Sequence, residues 1–156
     1  MNRVLTYSLE FRGEAVDDGR GLGLLLRATA PPCTHETRVE NEGLVSRFFF
    51  GDCENEAILE SRLALHEDGR FAAITTVDFG HGHRLWGQTE DDGRLLPSAD
   101  VHLRQGTATI HVIGGAGQFR GATGQITSNF VLSDTGDLTD NQLGMLFLRE
   151  LELAAL

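Results

Sequence analysis

The sequence predicts an all-β domain, antiparallel and closed into a barrel, and three observations carry that prediction. Turn signals recur at short intervals: Asp17-Asp18-Gly19, Glu67-Asp68-Gly69, Asp91-Asp92-Gly93, Gln105-Gly106 and Asp134-Thr135-Gly136. An Asp-Gly pair tolerates the left-handed backbone that tight hairpins demand. Between these turns the apolar residues alternate with polar ones, the period of a half-buried strand. Helix patterns are nearly absent, and only the tail from Gly144 to Leu156 reads equally as helix or strand. Short strands with even turn spacing imply a sandwich or a barrel, and closure removes exposed edges from a chain with only 3 prolines to blunt them.

Taken in order, the candidate strands are 3–11, 21–30, 44–51, 57–66, 70–79, 84–90, 99–105, 107–113, 122–132 and 142–150. Ala57, Leu59, Leu63 and Leu65 share one face of their strand; Ile58, Glu60, Arg62, Ala64 and His66 share the other. Ala99, Val101 and Leu103 likewise alternate with Asp100, His102 and Arg104. No linker, repeat or low-complexity tract interrupts the pattern, so residues 1–156 form a single domain.

Composition excludes several functions. The 156 residues hold 13 basic against 23 acidic side chains, a net charge of −10. That charge argues against a nucleic-acid partner, which needs clustered cations, and against an anionic membrane surface. All 13 cations are arginine, so neither a lysine Schiff base nor a Walker-type lysine is available. Polar residues interrupt the N-terminal stretch too early for a signal peptide, and no apolar run reaches the length of a spanning helix. The expected location is cytoplasmic, with Cys33 and Cys53 as free thiols.

The stretch Gly114-Gly115-Ala116-Gly117-Gln118-Phe119-Arg120-Gly121 is the most specific in the chain. A dinucleotide fingerprint would need a strand-to-helix junction, and here strand-like sequence follows. These glycines mark a bulged, tightly turned corner instead. Together with Arg70–Gly80, which ends in Phe79-Gly80, with Gly87-Gln88, and with the opening Leu5-Thr6-Tyr7-Ser8-Leu9-Glu10, this corner resembles the allene oxide cyclase and dirigent-protein superfamily, in particular bacterial cyclase-type members. The resemblance implies an eight-stranded antiparallel barrel with an apolar cavity, assembled as a homo-oligomer, by resemblance a trimer, with a dimer as the alternative. It implies ring closure of a reactive hydrophobic substrate without cofactor. The family's first-strand glutamate has no strict counterpart: Ser8 follows Tyr7, and Glu10 is the nearest carboxylate.

Polar residues inside such a cavity would have shifted pKa values and a catalytic use. The expected catalytic set is Glu10, Glu60 and Arg62, with a carboxylate to polarise or deprotonate the substrate and Arg62 or Asn129 to stabilise developing oxyanion charge. Tyr7, Trp86, Gln88 and Asn129 are the expected substrate-binding residues, aromatic rings being suited to stacking on conjugated ligands. His81-Gly82-His83 has the spacing of a metal pair but sits in a glycine-rich turn without a third ligand, so no metal is expected. Cys33 lies beside no evident base, and no Gly-x-Ser-x-Gly elbow is present. The expected function is a cofactor-free cyclase or isomerase acting on a hydrophobic, polyunsaturated or polyketide-like small molecule, in secondary metabolism. The alternative is a non-catalytic barrel that binds or carries an apolar metabolite.

Overall fold

A computed structural model describes residues 2–19, 23–30, 33–50 and 56–149. Eleven strands follow in order: β1 (Asn2–Asp17), β2 (Gly23–Ala30), β3 (Cys33–Glu40), β4 (Gly43–Phe50), β5 (Ala57–Leu65), β6 (Arg70–Asp78), β7 (Arg84–Thr89), β8 (Gly93–Pro97), β9 (Leu103–Ala116), β10 (Thr123–Ser133) and β11 (Asp137–Arg149). The one helical segment among them is the 3-10 turn Gly117–Phe119. β1, β2, β5, β6, β7, β9, β10 and β11 pair antiparallel in that cyclic order, and the β9–β10 pairing closes an eight-stranded barrel.

Two elements stand outside this ring. β3 and β4 form a separate hairpin inserted between β2 and β5. β8 fills the place that β7 leaves: β6 pairs β7 over Ile74–Asp78 but β8 at Arg70 and Phe71. At the changeover the Ala73 N–H is satisfied by the Thr89 hydroxyl, 3.0 Å away, in place of a ladder bond.

Several sequence expectations change at this level. The stretch 99–105 is not one strand, because Val101 and His102 belong to a turn. There the Ser98 hydroxyl accepts the Asp100 N–H, the Asp100 carboxylate accepts the His102 N–H, and Val101 is 89 % exposed. These short side-chain bonds compete with strand pairing. Gly106, read as part of a turn, lies inside β9, where a Cβ would overlap the Phe130 ring. The last strand begins at Asp137, five residues earlier than alternation alone suggests. β3 and β8 were not anticipated. Cys53, residues 20–22 and 150–156 lie outside the described residues.

The barrel is filled from both ends. Phe71 and Phe130 meet at 5.9 Å between ring centroids near one end; Phe79 contacts Tyr7 at 5.8 Å and Phe119 at 5.2 Å near the other. Leu59, Val77, Leu85, Val112 and Leu146 are fully buried between these closures. Burial of this kind is the main favourable term, about 1.5–3 kcal/mol for each large side chain.

Candidate functional site

Midway along the barrel the apolar filling is interrupted. Ser61 on β5, Thr75 on β6, Ser128 on β10, and Asp140 and Gln142 on β11 are all buried. Strand alternation puts them inside: Ser61 lies between Leu59 and Leu63 on the inward face, and Asp140 follows Leu138 on the inward face of β11. The Ser128 hydroxyl donates to Asp140 Oδ1 at 2.8 Å, and Gln142 Nε2 donates to Asp140 Oδ2 at 3.0 Å. Tyr7 OH donates to Gln142 Oε1 over a longer 3.5 Å. Opposite them, Ser61 and Thr75 are register partners and share a hydrogen bond of 2.8 Å.

Electrostatics follow from burial. No arginine or histidine whose side chain is described is buried. Desolvation therefore pushes the Asp140 carboxyl up to about 6, against the lowering effect of the bonds from Ser128 and Gln142. The Tyr7 phenol is raised as well, by burial first and by the Asp140 charge second, so it stays protonated. Tyr7 owes its position to Gly144, its partner across the β1–β11 ladder, where any Cβ would run into the ring.

Between the two polar groups lies a cavity of about 20 Å³, lined by Ser61, Thr75, Ser128, Asp140 and Gln142 together with apolar side chains such as Leu26 and Ile110. Space of this size holds about one water molecule.

Of the seven residues expected from the sequence, only Tyr7 points inward. Glu10 sits on the outer face, 13 % exposed, bound to Arg12 at 2.6 Å. Glu60 faces outward toward Arg27 at 3.9 Å. Arg62 and Gln88 line an open outer groove of about 810 Å³ floored by Ala64, Ala72 and Ile74. Asn129 borders a second outer groove with Arg94 and Gln105. Trp86 is 38 % exposed on the outside, its indole against Gly114. The parity of their strands therefore keeps these six out of the barrel interior and scatters them over its surface.

Two of the interior residues carry a signal legible in the sequence. Ser61 breaks the apolar face 57-59-61-63-65, and Thr75 breaks 71-73-75-77 in the same way. Asp140 lies ahead of the strand predicted over 142–150, so alternation did not reach it.

At the turn Phe79–His83, His81 adopts a left-handed backbone (φ 53°), and His83 Nδ1 accepts the Gln118 N–H at 3.0 Å. No group of three or more His, Cys, Asp or Glu side chains is placed to hold a metal among the described residues. No helix among them is long and apolar enough to cross a membrane.

The closed antiparallel eight-stranded topology is a barrel fold found in a dirigent protein. The pterocarpan synthase dirigent protein GePTS1 shares this fold with a TM-score of 0.56 at 17% sequence identity, over 99% of this chain and 90% of that one. No protein-family model and no curated protein sequence matches the chain.

Proposed function

We propose that the chain is a cofactor-free barrel catalyst that passes a proton within a hydrophobic, oxygen-bearing substrate, with Asp140 as the acid–base group. One observation carries this reading: a carboxyl group is buried at the centre of a largely apolar barrel, hydrogen-bonded to Ser128 and Gln142 but without a cation. A barrel filled for structure alone has no need of such a group, which is costly to ionise there. A carrier calls for a smooth apolar lining, whereas here five polar side chains converge.

Once the substrate is bound, the protonated carboxyl transfers its proton to a carbonyl or hydroxyl oxygen of the substrate. The resulting carboxylate then takes a proton from the group that attacks. The proton returns to its donor, and the net change is an isomerisation such as ring closure. A value near 6 suits a group that must both give and accept a proton near neutrality. Positioning adds to this, since an enclosed, folded substrate loses little further entropy on the way to reaction. Admission of a ring-sized substrate requires one aromatic closure to move. Both ends carry turn glycines at positive φ, Gly80, Gly82, Gly117 and Gly121 at the Phe79–Phe119 end and Gly19, Gly69 and Gly136 at the other.

GePTS1, which shares the fold, is a pterocarpan synthase. The fold alone does not assign a reaction. The deciding experiment incubates the protein with two probes made in situ: a quinone methide bearing a pendant hydroxyl, and an unsaturated fatty-acid epoxide. Accelerated, enantioenriched cyclisation that Asp140→Asn abolishes is the expected result. Racemic product at the buffer rate from both probes would remove the reading.

A further inference from the structure

Around the eight-strand ring, β1 and β2 separate β11 from β5, and β7 and β9 separate β6 from β10. The Ser61–Thr75 pair and the Ser128–Asp140 pair therefore stand diametrically opposed across the barrel, two strands apart on either side. Both line the same small cavity. Each wall satisfies its own polar atoms, as buried polar groups do: no buried side-chain nitrogen or oxygen among the described residues lacks a partner. Polar groups on one wall would suffice to bind a catalytic carboxyl. The hydroxyls on the other wall need a separate reason.

From these two facing walls we infer that the cavity is a seat for one neutral, water-sized oxygen, gripped from both sides. Water occupies it in the free protein, and the hydroxyl or carbonyl oxygen of the substrate replaces that water if the proton-passing reading above holds. The size fits, since about 20 Å³ exceeds the minimum of about 10–15 Å³ that a water needs. The partners fit as well: a buried water makes about 2–4 hydrogen bonds, and here hydroxyls that can both give and accept face a carboxyl. Charge sets the class of ligand. With no buried cation among the described side chains and a carboxyl at the wall, an anionic oxygen would be neither paired nor solvated. A substrate carboxylate or phosphate is therefore kept out of this seat. The Asp140 wall thus sets neutrality, and Ser61 and Thr75 supply the grip on the oxygen from the opposite side.

The test needs no substrate in its first arm. Water–protein cross-peaks in NMR report a long-lived water near the methyl groups of Ile110 and Leu26. The parent is expected to give them, and Ser61→Ala/Thr75→Val to lose them. The single Thr75→Val change, nearly isosteric, is expected to weaken them should the double variant fold poorly. A silent parent, or cross-peaks undiminished in a folded variant, would overturn the inference.

The second arm uses the quinone methide probe. The double variant is expected to raise its KM about tenfold, the worth of one lost hydrogen bond, without moving the pH profile of kcat. An unchanged KM would limit the seat to water and overturn the substrate half. The two readings fail separately. Water seen and lost without any turnover leaves the seat standing and removes the catalyst; turnover that depends on Asp140 with no trapped water does the reverse.

Discussion

β5 and β11 both run the length of the barrel, yet they distribute polarity in opposite ways. On β5 the inward face is Ala57, Leu59, Ser61 and Leu63, and the outward face carries Glu60 and Arg62. On the middle of β11 the inward face is Asp140, Gln142 and Gly144, while Leu143, Met145 and Phe147 point outward at 58%, 49% and 43% exposure. Alternation is equally regular on both strands. What it cannot say is which parity is inside, because a half-buried strand is recognised by apolar residues on one face and β11 has them on both. The inversion on β11 is informative in itself, since the strand that gives up inward apolar surface is the one that supplies the carboxyl.

The largest expected effect breaks this comparison directly. Asp140→Asn on the inner face of β11 should lower turnover of a competent probe by about 10²–10⁴-fold, the usual worth of a positioned acid or base. Glu60→Gln on the outer face of β5, and Trp86→Ala on the outside of β7, should stay within a few-fold of the parent. Equal losses in all three, measured as kcat/KM on one probe, would mean that the outer surface takes part in the reaction.

Neighbouring residues on β11 sharpen the same contrast through stability. Leu146 is fully buried and Phe147 is 43% exposed. Denaturant unfolding should show Leu146→Ala costing about 2–5 kcal/mol, as cavity-forming changes do, and Phe147→Ala far less. A comparable cost at Phe147 would show that the outward apolar row is covered, as the expected self-association requires. Sedimentation of the parent as a monomer at micromolar concentration would remove that expectation.

Below neutrality, a pH effect of about the same size belongs to Asp140. Its folded-state value of about 6 lies above the unfolded value, so the folded protein holds this proton more tightly than the unfolded chain. Its stabilising contribution is complete below pH ~4 and is lost as pH rises through about 6, a fall of about 3 kcal/mol. Asp140→Asn, which cannot ionise, should flatten that part of the stability profile in urea titrations at stepped pH. A slope unchanged in the variant would place the titrating group elsewhere. In the catalytic reading the protonated form is the competent one, so kcat/KM should fall as pH rises through the same interval.

Tyr7→Phe has the smallest expected effect. Its hydroxyl reaches Gln142 only over 3.5 Å, and removing it should cost no more than about 1 kcal/mol in thermal or denaturant unfolding. A larger loss would mean that Tyr7 belongs to the polar centre as firmly as Ser128 does.

Much of this protein is legible in its sequence by itself. The all-β class, the antiparallel order, most hairpins and the glycine corner follow from local chemistry, because turn conformations and period-two alternation are properties of neighbouring residues. Even the two faces of β5 were separable, with Ser61 in plain view among its apolar partners. Tertiary structure alone decided which face of β11 is the inside, and that six of the seven expected site residues stand on the surface. It also decided that Ser61 and Thr75 oppose Ser128 and Asp140 across the barrel. Closure sets these relations: the β9–β10 pairing, made late in the chain, fixes which strands face one another, and no local pattern encodes a partner on the opposite wall.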